Sequence, residues 1–200
     1  GNAVKGATDA AGNAVKGATD AAGNAVKGAS DAAGTAVKGA ADAAGNAVNG
    51  LMSAIKLPNG ADLKMLKGSA EEKVAGFLGS GGKAGGKEVF IFNDLTFAPG
   101  AAKLDATSKD RLNSLATLLK AYPKINIRLD GHTDNTGDAT KNRTLSKQRA
   151  ESVMALLVAD GVADNRISVR GLGDTKPVAS YTTEEGKAQN RRIELRVVSN

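Results

Sequence analysis

The chain opens with a repeat of eleven residues, in which Gly1, Gly12, Gly23, Gly34 and Gly45 keep register with Val4, Val15, Val26, Val37 and Val48. Eleven residues match three turns of a helix at 3.67 residues per turn, so every copy would present the same face, with straight to slightly right-handed supercoiling. On a helical wheel the Ala residues and the one Val of a copy are contiguous and edged by Gly, with Lys and Asp elsewhere on the circle. That stripe is narrow, and two Gly per copy cost about 1 kcal/mol each relative to Ala. Three readings stay open for residues 1–50. They are a tether helical only in part, a tightly packed oligomeric helix of roughly 75 Å, or an interfacial membrane helix, which here lacks Leu, Phe or Trp to enter lipid.

Residues 1–50 hold only Gly, Ala, Asn, Val, Lys, Thr, Ser and Asp; every Phe, Tyr, Leu and Ile lies after position 50, and only that part can build a core. The remaining length suits one ordinary domain. Four Lys and four Asp cancel within the repeat, which leaves the net charge of +6 on the later residues. Such a surface fits an anionic polymer, or simply solubility. No basic run interleaved with aromatics is present, and a nucleic-acid partner is not expected.

Without cysteine there are no disulfides, thiolate metal sites or cysteine nucleophile. His132 is the one histidine, so neither a His-ligated metal cluster nor a Ser-His-Asp triad can be assembled. Asp134, Asn135 and Asp138 lack the spacing of a calcium loop, and Gly171-Leu172-Gly173 does not lead into a helix as a nucleotide loop would. The expectation is a binding protein with no cofactor and no metal, not an enzyme. No stretch approaches the ~18 apolar residues of a membrane span, so any outer-membrane attachment is left to an anchor upstream of Gly1.

Residues 51–87 read as a small accessory segment: two short strands around Pro58-Asn59-Gly60, a helix opened by the capping pair Ser69 and Glu72, and a Gly-rich linker. Residues 88–200 read as the main domain. A strand rich in aromatic and β-branched residues reaches Phe97, a helix capped by Asp105 or Thr107 runs to Pro123, and Ile125, Ile127 and Leu129 alternate as a second strand. A polar loop leads to a second helix carrying Leu145, Val153, Leu156 and Leu157, closed by Gly161. Strands at Ile167 to Val169 and at Ile193, Leu195 and Val197 complete β-α-β-α-β-β. The expected class is α+β, with two helices on one face of a mixed sheet.

Five segments in series, FNDLTFAPGAAKL, GHTDNTG, NRTLSKQRAESV, RISVRGLGDTKPV and NRRIEL, resemble the OmpA-like peptidoglycan-binding domain in order and spacing, over about 110 residues. The resemblance implies a periplasmic, outer-membrane-associated partner of peptidoglycan that holds the diaminopimelate of the stem peptide. It assigns Asp134 to the ligand ammonium and Arg149 to the carboxylate, a paired site for a zwitterion. Taken alone, Asp134 reads more plainly as a loop Asx-turn and Arg149 as a solvated helix face; the linked motifs reverse that preference. Asn142 matches the family's ligand-side Asn and equally suits a helix N-cap. Thr136 and Gly137 would turn loop N–H groups toward the peptide. Of Arg191 and Arg192, which the resemblance places at the pocket wall, Arg191 is favoured because it shares the parity of Ile193; a basic strand end serving solubility is the other reading. Where many members carry Phe-Asp, this chain has Phe97-Ala98-Pro99-Gly100, and weaker affinity for the same ligand is expected. Residues 1–50 would then be a spacer to the outer membrane or an envelope machine, or a homo-oligomeric shaft that the wall domain fixes in place.

Overall fold

The computed structural model describes residues 51–82, 85, 87–93, 95, 97 and 101–199, with scattered positions before them (13, 16–22, 24–27, 29, 31, 36, 38 and 50). The chain divides into two compact units, Gly1–Leu51 and Met52–Asn200. In the first, the described positions up to residue 50 are helical and exposed. Val26, on the repeat's apolar stripe, is 70% exposed. Lys27 and Asp31 form an i,i+4 ion pair of 2.8 Å that water largely screens. The other copies of the valine stripe, and Ala98-Pro99-Gly100, lie outside the described residues.

The second unit starts with a hairpin, β1 (Met52–Lys56) and β2 (Asp62–Leu66), paired from Met52↔Leu66 to Lys56↔Asp62. Its turn uses Gly60 at φ +84°, a conformation in which glycine meets no Cβ penalty. Helix α1 (Ala70–Gly79) follows, with Ser69 accepting from the Glu72 N–H at 3.2 Å. The Glu72 carboxylate reaches back one residue further than a capping box requires, to the Gly68 N–H, and also takes the Ser53 hydroxyl.

Residues 51–82 do not stand apart from the main domain. Leu57, Met65, Val74 and Leu78 belong to the same buried cluster as Phe90, Phe92, Leu112 and Leu115. Phe77 meets Phe90 edge to face at 5.5 Å. Glu71, 3% exposed, takes both Nε and Nη2 of Arg111 at 3.0 and 2.9 Å, a bidentate pair that joins α1 to the next helix. The accessory segment of the sequence reading is thus a third edge of one core.

The main sheet contains β3 (Val89–Phe92), β4 (Asn126–His132), β5 (Ile167–Gly173) and β6 (Ile193–Ser199), in the order β3-β6-β4-β5. β4 and β5 are parallel, whereas β6 runs antiparallel to both its neighbours. Helices α2 (Ala106–Ala121) and α3 (Ala139–Ala159) join the strands. Ile127, Leu129, Ile193 and Leu195 on the sheet are buried together with Leu115, Leu119, Val153 and Leu157 of the helices. This is the mixed α+β architecture expected from the periodicities. Besides a single 3-10 turn at Asp164–Arg166, one helix was not read from sequence: α4 (Glu184–Asn190), which precedes β6. Its residues are almost all polar, so no apolar period marks it; only the cap signal is there, with Thr183 accepting from the Gly186 N–H at 3.1 Å.

Asp105 caps α2 through the Ser108 N–H at 2.8 Å. Asp138 caps α3 through the Lys141 N–H at 2.9 Å, so α3 starts earlier than the sequence reading placed it. Gly161, at φ +93°, closes α3 as expected. α3 lies very close to β4: a Cβ on Gly131 would stand 2.1 Å from the Ser146 carbonyl oxygen. The buried Ser146 hydroxyl accepts from the Gly173 N–H at 2.9 Å and donates to Arg143 O at 2.9 Å. These contacts fix the start of α3 against the ends of β4 and β5.

Candidate functional site

The antiparallel register of β4 and β6 builds the site. Gly131 pairs with Ile193, and the His132 N–H donates to the Arg192 carbonyl at 3.0 Å. Residues just past the end of β4 therefore meet residues just before β6, although about 57 positions separate them in sequence. Asp134 is held in an Asx-turn, with Oδ1 accepting from the Thr136 N–H at 2.9 Å. Its Oδ2 accepts from Arg191 Nη1 at 2.6 Å. Partial burial pushes the Asp134 pKa up, but the hydrogen bonds from Arg191 and Thr136 outweigh it, and the net shift is downward. Because Thr136 spends its N–H on Asp134, that group does not point at a ligand as the sequence reading expected.

Asn142 is 7% exposed and sits inside the first turn of α3, so it is not the helix N-cap. Its Nδ2 donates to the carbonyls of Asp134 and Thr136, at 3.3 and 3.1 Å. The loop is clipped to the helix by this side chain. Gly137, at φ +90°, allows the chain to turn from the Asp134 loop into Asp138 and α3.

Arg149 lies two turns further along α3 and is 8% exposed. Its guanidinium stacks 5.0 Å from the centre of the Phe97 ring, and Nε donates to Ala101 O at 3.1 Å. Among the described residues the two terminal nitrogens have no hydrogen-bond partner. Burial draws the Arg149 pKa below its usual value, Asp134 opposes that shift and Arg191 adds to it. A guanidinium so placed is charged at neutral pH and ready to accept an anion.

Asp134, Thr136, Asn142, Arg149 and Arg191 line one cleft of about 490 Å³, together with Phe97, Thr133 and Leu145. That size suits a small polar group with part of a chain attached. Gly137 shapes the loop without lining the cleft. Arg192 is a correction: it is 3% exposed and spent on structure, with Nε on Glu194 at 3.0 Å and Nη2 on the Lys176 carbonyl at 3.0 Å. It faces a neighbouring cavity of about 300 Å³ on the far side of Arg149 and Arg191. Arg191 is the C-cap of α4 and precedes the strand, so strand parity with Ile193 does not set its direction.

Two lining residues escaped the sequence reading. Thr133 is 4% exposed, and its buried hydroxyl has no hydrogen-bond partner among the described residues. Leu145 was assigned by helical spacing to the core, but it is half-buried and faces the cleft beside Asn142. Helical spacing places both Leu145 and Val153 on the inner half of α3; only the neighbouring loop decides which one lines the cleft.

The sequence profile of the OmpA family matches residues 96–191, the span that holds every one of these groups except Arg192. Residues 96–191 are an OmpA family domain. The OmpA domain is 45% identical over 103 residues to the probable lipoprotein YiaD of Escherichia coli (strain K12), covering 52% of this chain and 47% of that protein. It is 44% identical over 101 residues to the peptidoglycan-binding protein ArfA of Mycobacterium bovis (strain ATCC BAA-935 / AF2122/97), covering 50% of this chain and 31% of that protein. The chain thus spans half or less of the length of these curated relatives. Among solved structures, the cell wall anchor of the T6SS from Pseudomonas aeruginosa matches with a TM-score of 0.53 at 29% identity, over 66% of this chain and 97% of that one. The fold of the OmpA domain is shared with these proteins. Among the described residues, no helix is long and apolar enough to cross a membrane.

Proposed function

We propose that the OmpA domain binds peptidoglycan without covalent chemistry, gripping the diaminopimelate side chain of a stem peptide and so anchoring the outer membrane or an envelope assembly to the wall from the periplasm. The observation that carries this reading is the pairing of an ionised Asp134 with a desolvated Arg149 guanidinium on the walls of one cleft. An uncrosslinked diaminopimelate end bears an ammonium and a carboxylate on one carbon, and each wall group suits one of them. The ammonium takes over Asp134 Oδ2 from Arg191, and the carboxylate receives the terminal nitrogens of Arg149, joined by the released Arg191. Phe97 beneath Arg149 keeps water from one face of that contact. No group in the cleft is asked to move a bond, so the role is binding and not catalysis. ArfA is a peptidoglycan-binding protein and the matching T6SS protein a cell wall anchor, and both likenesses support the same assignment.

Residues 1–50 serve in this reading as the spacer between wall domain and membrane or machine, with any outer-membrane anchor upstream. A homo-oligomeric shaft is the second reading, favoured by one observation: Val26 on the apolar stripe stands open to a partner helix.

The test is sedimentation with purified sacculi, using the intact chain and the Asp134→Ala/Arg149→Ala double variant. Loss of both charge-assisted contacts is expected to weaken binding at least about a hundredfold. A soluble stem peptide carrying diaminopimelate should compete, and the same peptide with lysine in its place, whose free side-chain end bears an ammonium but no carboxylate, should not. A folded double variant that still sediments with sacculi would falsify the site assignment; equal competition by the lysine-containing peptide would remove the diaminopimelate specificity.

A further inference from the structure

The candidate cleft is one of three depressions strung around the first half of α3. It shares Asn142 and Leu145 with a shallower one that also includes Thr140, Thr144 and Gln148. Thr144 in turn belongs to a third, of about 680 Å³, between α3 and the edge strand β5. Arg143 and Lys147 of the helix and Arg170 of the strand wall that third cleft. Gly171 is what brings them together: a Cβ there would meet Arg143 O at 2.3 Å and the Lys147 Cβ at 2.6 Å, so any larger residue would lift α3 off the strand.

The three cations are poorly compensated. Arg143 and Arg170 are exposed, and among the described residues neither side chain has a hydrogen-bond or ion-pair partner. Lys147 reaches Glu151 at 3.2 Å, but those side chains are 59% and 46% exposed, and such a contact is weak and easily exchanged. Three cations against one carboxylate create a local positive field that concentrates anions.

We propose that the α3–β5 cleft is a second contact for the same polymer, taking the carboxylates of a stem peptide next to the one held at Asp134 and Arg149. The inference rests on the wall-binding reading above. The two clefts lie on opposite flanks of α3, a helix about 10–12 Å across with its side chains, so one ligand must pass over the helix to fill both. Thr140, Thr144 and Gln148 pave that route with hydroxyl and amide groups, which match sugar hydroxyls. Only a ligand that repeats its carboxylates along a polar chain satisfies all three stations, and a single peptide end satisfies just the first.

The experiment compares the full chain with an Arg143→Gln/Lys147→Gln/Arg170→Gln variant, whose two helix substitutions keep helix propensity and whose three positions lie outside the first cleft. Affinity is measured for sacculi at low and high salt, and for a soluble peptide ending in diaminopimelate. Sacculus binding is expected to fall roughly tenfold at low salt, the difference should shrink at high salt, and peptide affinity should stay unchanged. Unchanged sacculus binding at low salt overturns the second contact while leaving the first intact. An equal loss for the short peptide also overturns it, since the cations would then act through the first cleft. If the variant loses binding only to vesicles of anionic phospholipid and keeps sacculi, the cleft belongs to lipid and the proposal is wrong. If the unaltered chain binds neither peptide nor sacculi, the wall reading itself fails, and this contact with it.

Discussion

Arg191 Nη1 stands 2.6 Å from Asp134 Oδ2, so the carboxylate of the candidate site is already paired with a cation of the protein's own. The arginine side chain is 41% exposed and the aspartate 15%. A pair this open is cheap to exchange, because the released guanidinium regains water. Under the proposed function, a ligand ammonium would therefore replace a contact and would not have to neutralise a bare buried charge.

Arg191→Gln is expected to raise the Asp134 pKa toward its ordinary value, since the Arg191 hydrogen bond and charge both lower it. Carbon-detected NMR titration of the Asp134 carboxyl measures this directly. An unmoved midpoint would mean that the Thr136 N–H alone holds the carboxylate down. Because the folded pKa is depressed, ammonium binding should persist as pH drops past 3.8 and disappear only as it falls through the lower folded value.

The outer face of the sheet gives a second pH effect. Burial raises the Glu194 pKa, but His132, with Nε2 at 3.5 Å, and Arg192 more than reverse that and bring it to about 2. A depressed acid stabilises the fold above its unfolded pKa, near 4.5, and loses that contribution as pH falls toward about 2. Glu194→Gln should flatten acid unfolding between those values. At neutral pH it should also cost about 3–5 kcal/mol in chemical denaturation, because Arg192 is left buried and unpaired.

Asn142→Ala removes two hydrogen bonds to the Asp134 loop and leaves both carbonyls to find water. A loss of roughly 1–3 kcal/mol in stability is expected. Hydrogen exchange at the Thr136 amide should quicken with it. Were Asn142 a ligand contact alone, sacculus affinity would drop with the exchange rate unchanged.

Gly131→Ala tests the contact that seats α3. The added Cβ would meet the Ser146 carbonyl oxygen at 2.1 Å, so the helix must shift, at about 3 kcal/mol by analogy with overpacked cores. Thermal unfolding reports the stability, and a wild-type midpoint would show that α3 yields freely.

Deleting residues 1–87 should expose the apolar faces that Val74 and Leu78 cover and leave Arg111 without Glu71. The shortened domain is expected to bind a hydrophobic dye and to unfold at lower denaturant than a chain starting at residue 52. Equal midpoints would return residues 51–82 to the status of an independent accessory piece.

The sequence by itself determined what a few neighbouring residues can settle. Ser69 and Asp105 accept from N–H groups three positions on, Gly161 closes α3 through its own positive φ, and alternation at Ile193, Leu195 and Val197 names the inner face of β6. The five family segments added Asp134 and Arg149 as candidate ligand-side residues. Tertiary structure alone decided which of Arg191 and Arg192 enters the cleft, that Asn142 holds the loop, and that Thr133 and Leu145 line the walls. The first of those follows from β6 inserting between β3 and β4, which sets residue 191 beside residue 134, and the others from the way the Asp134 loop folds back on the first turns of α3. A cap or a period is encoded within one or two turns of chain, whereas a partner across 57 positions depends on the order in which strands pair, and no local pattern carries that order.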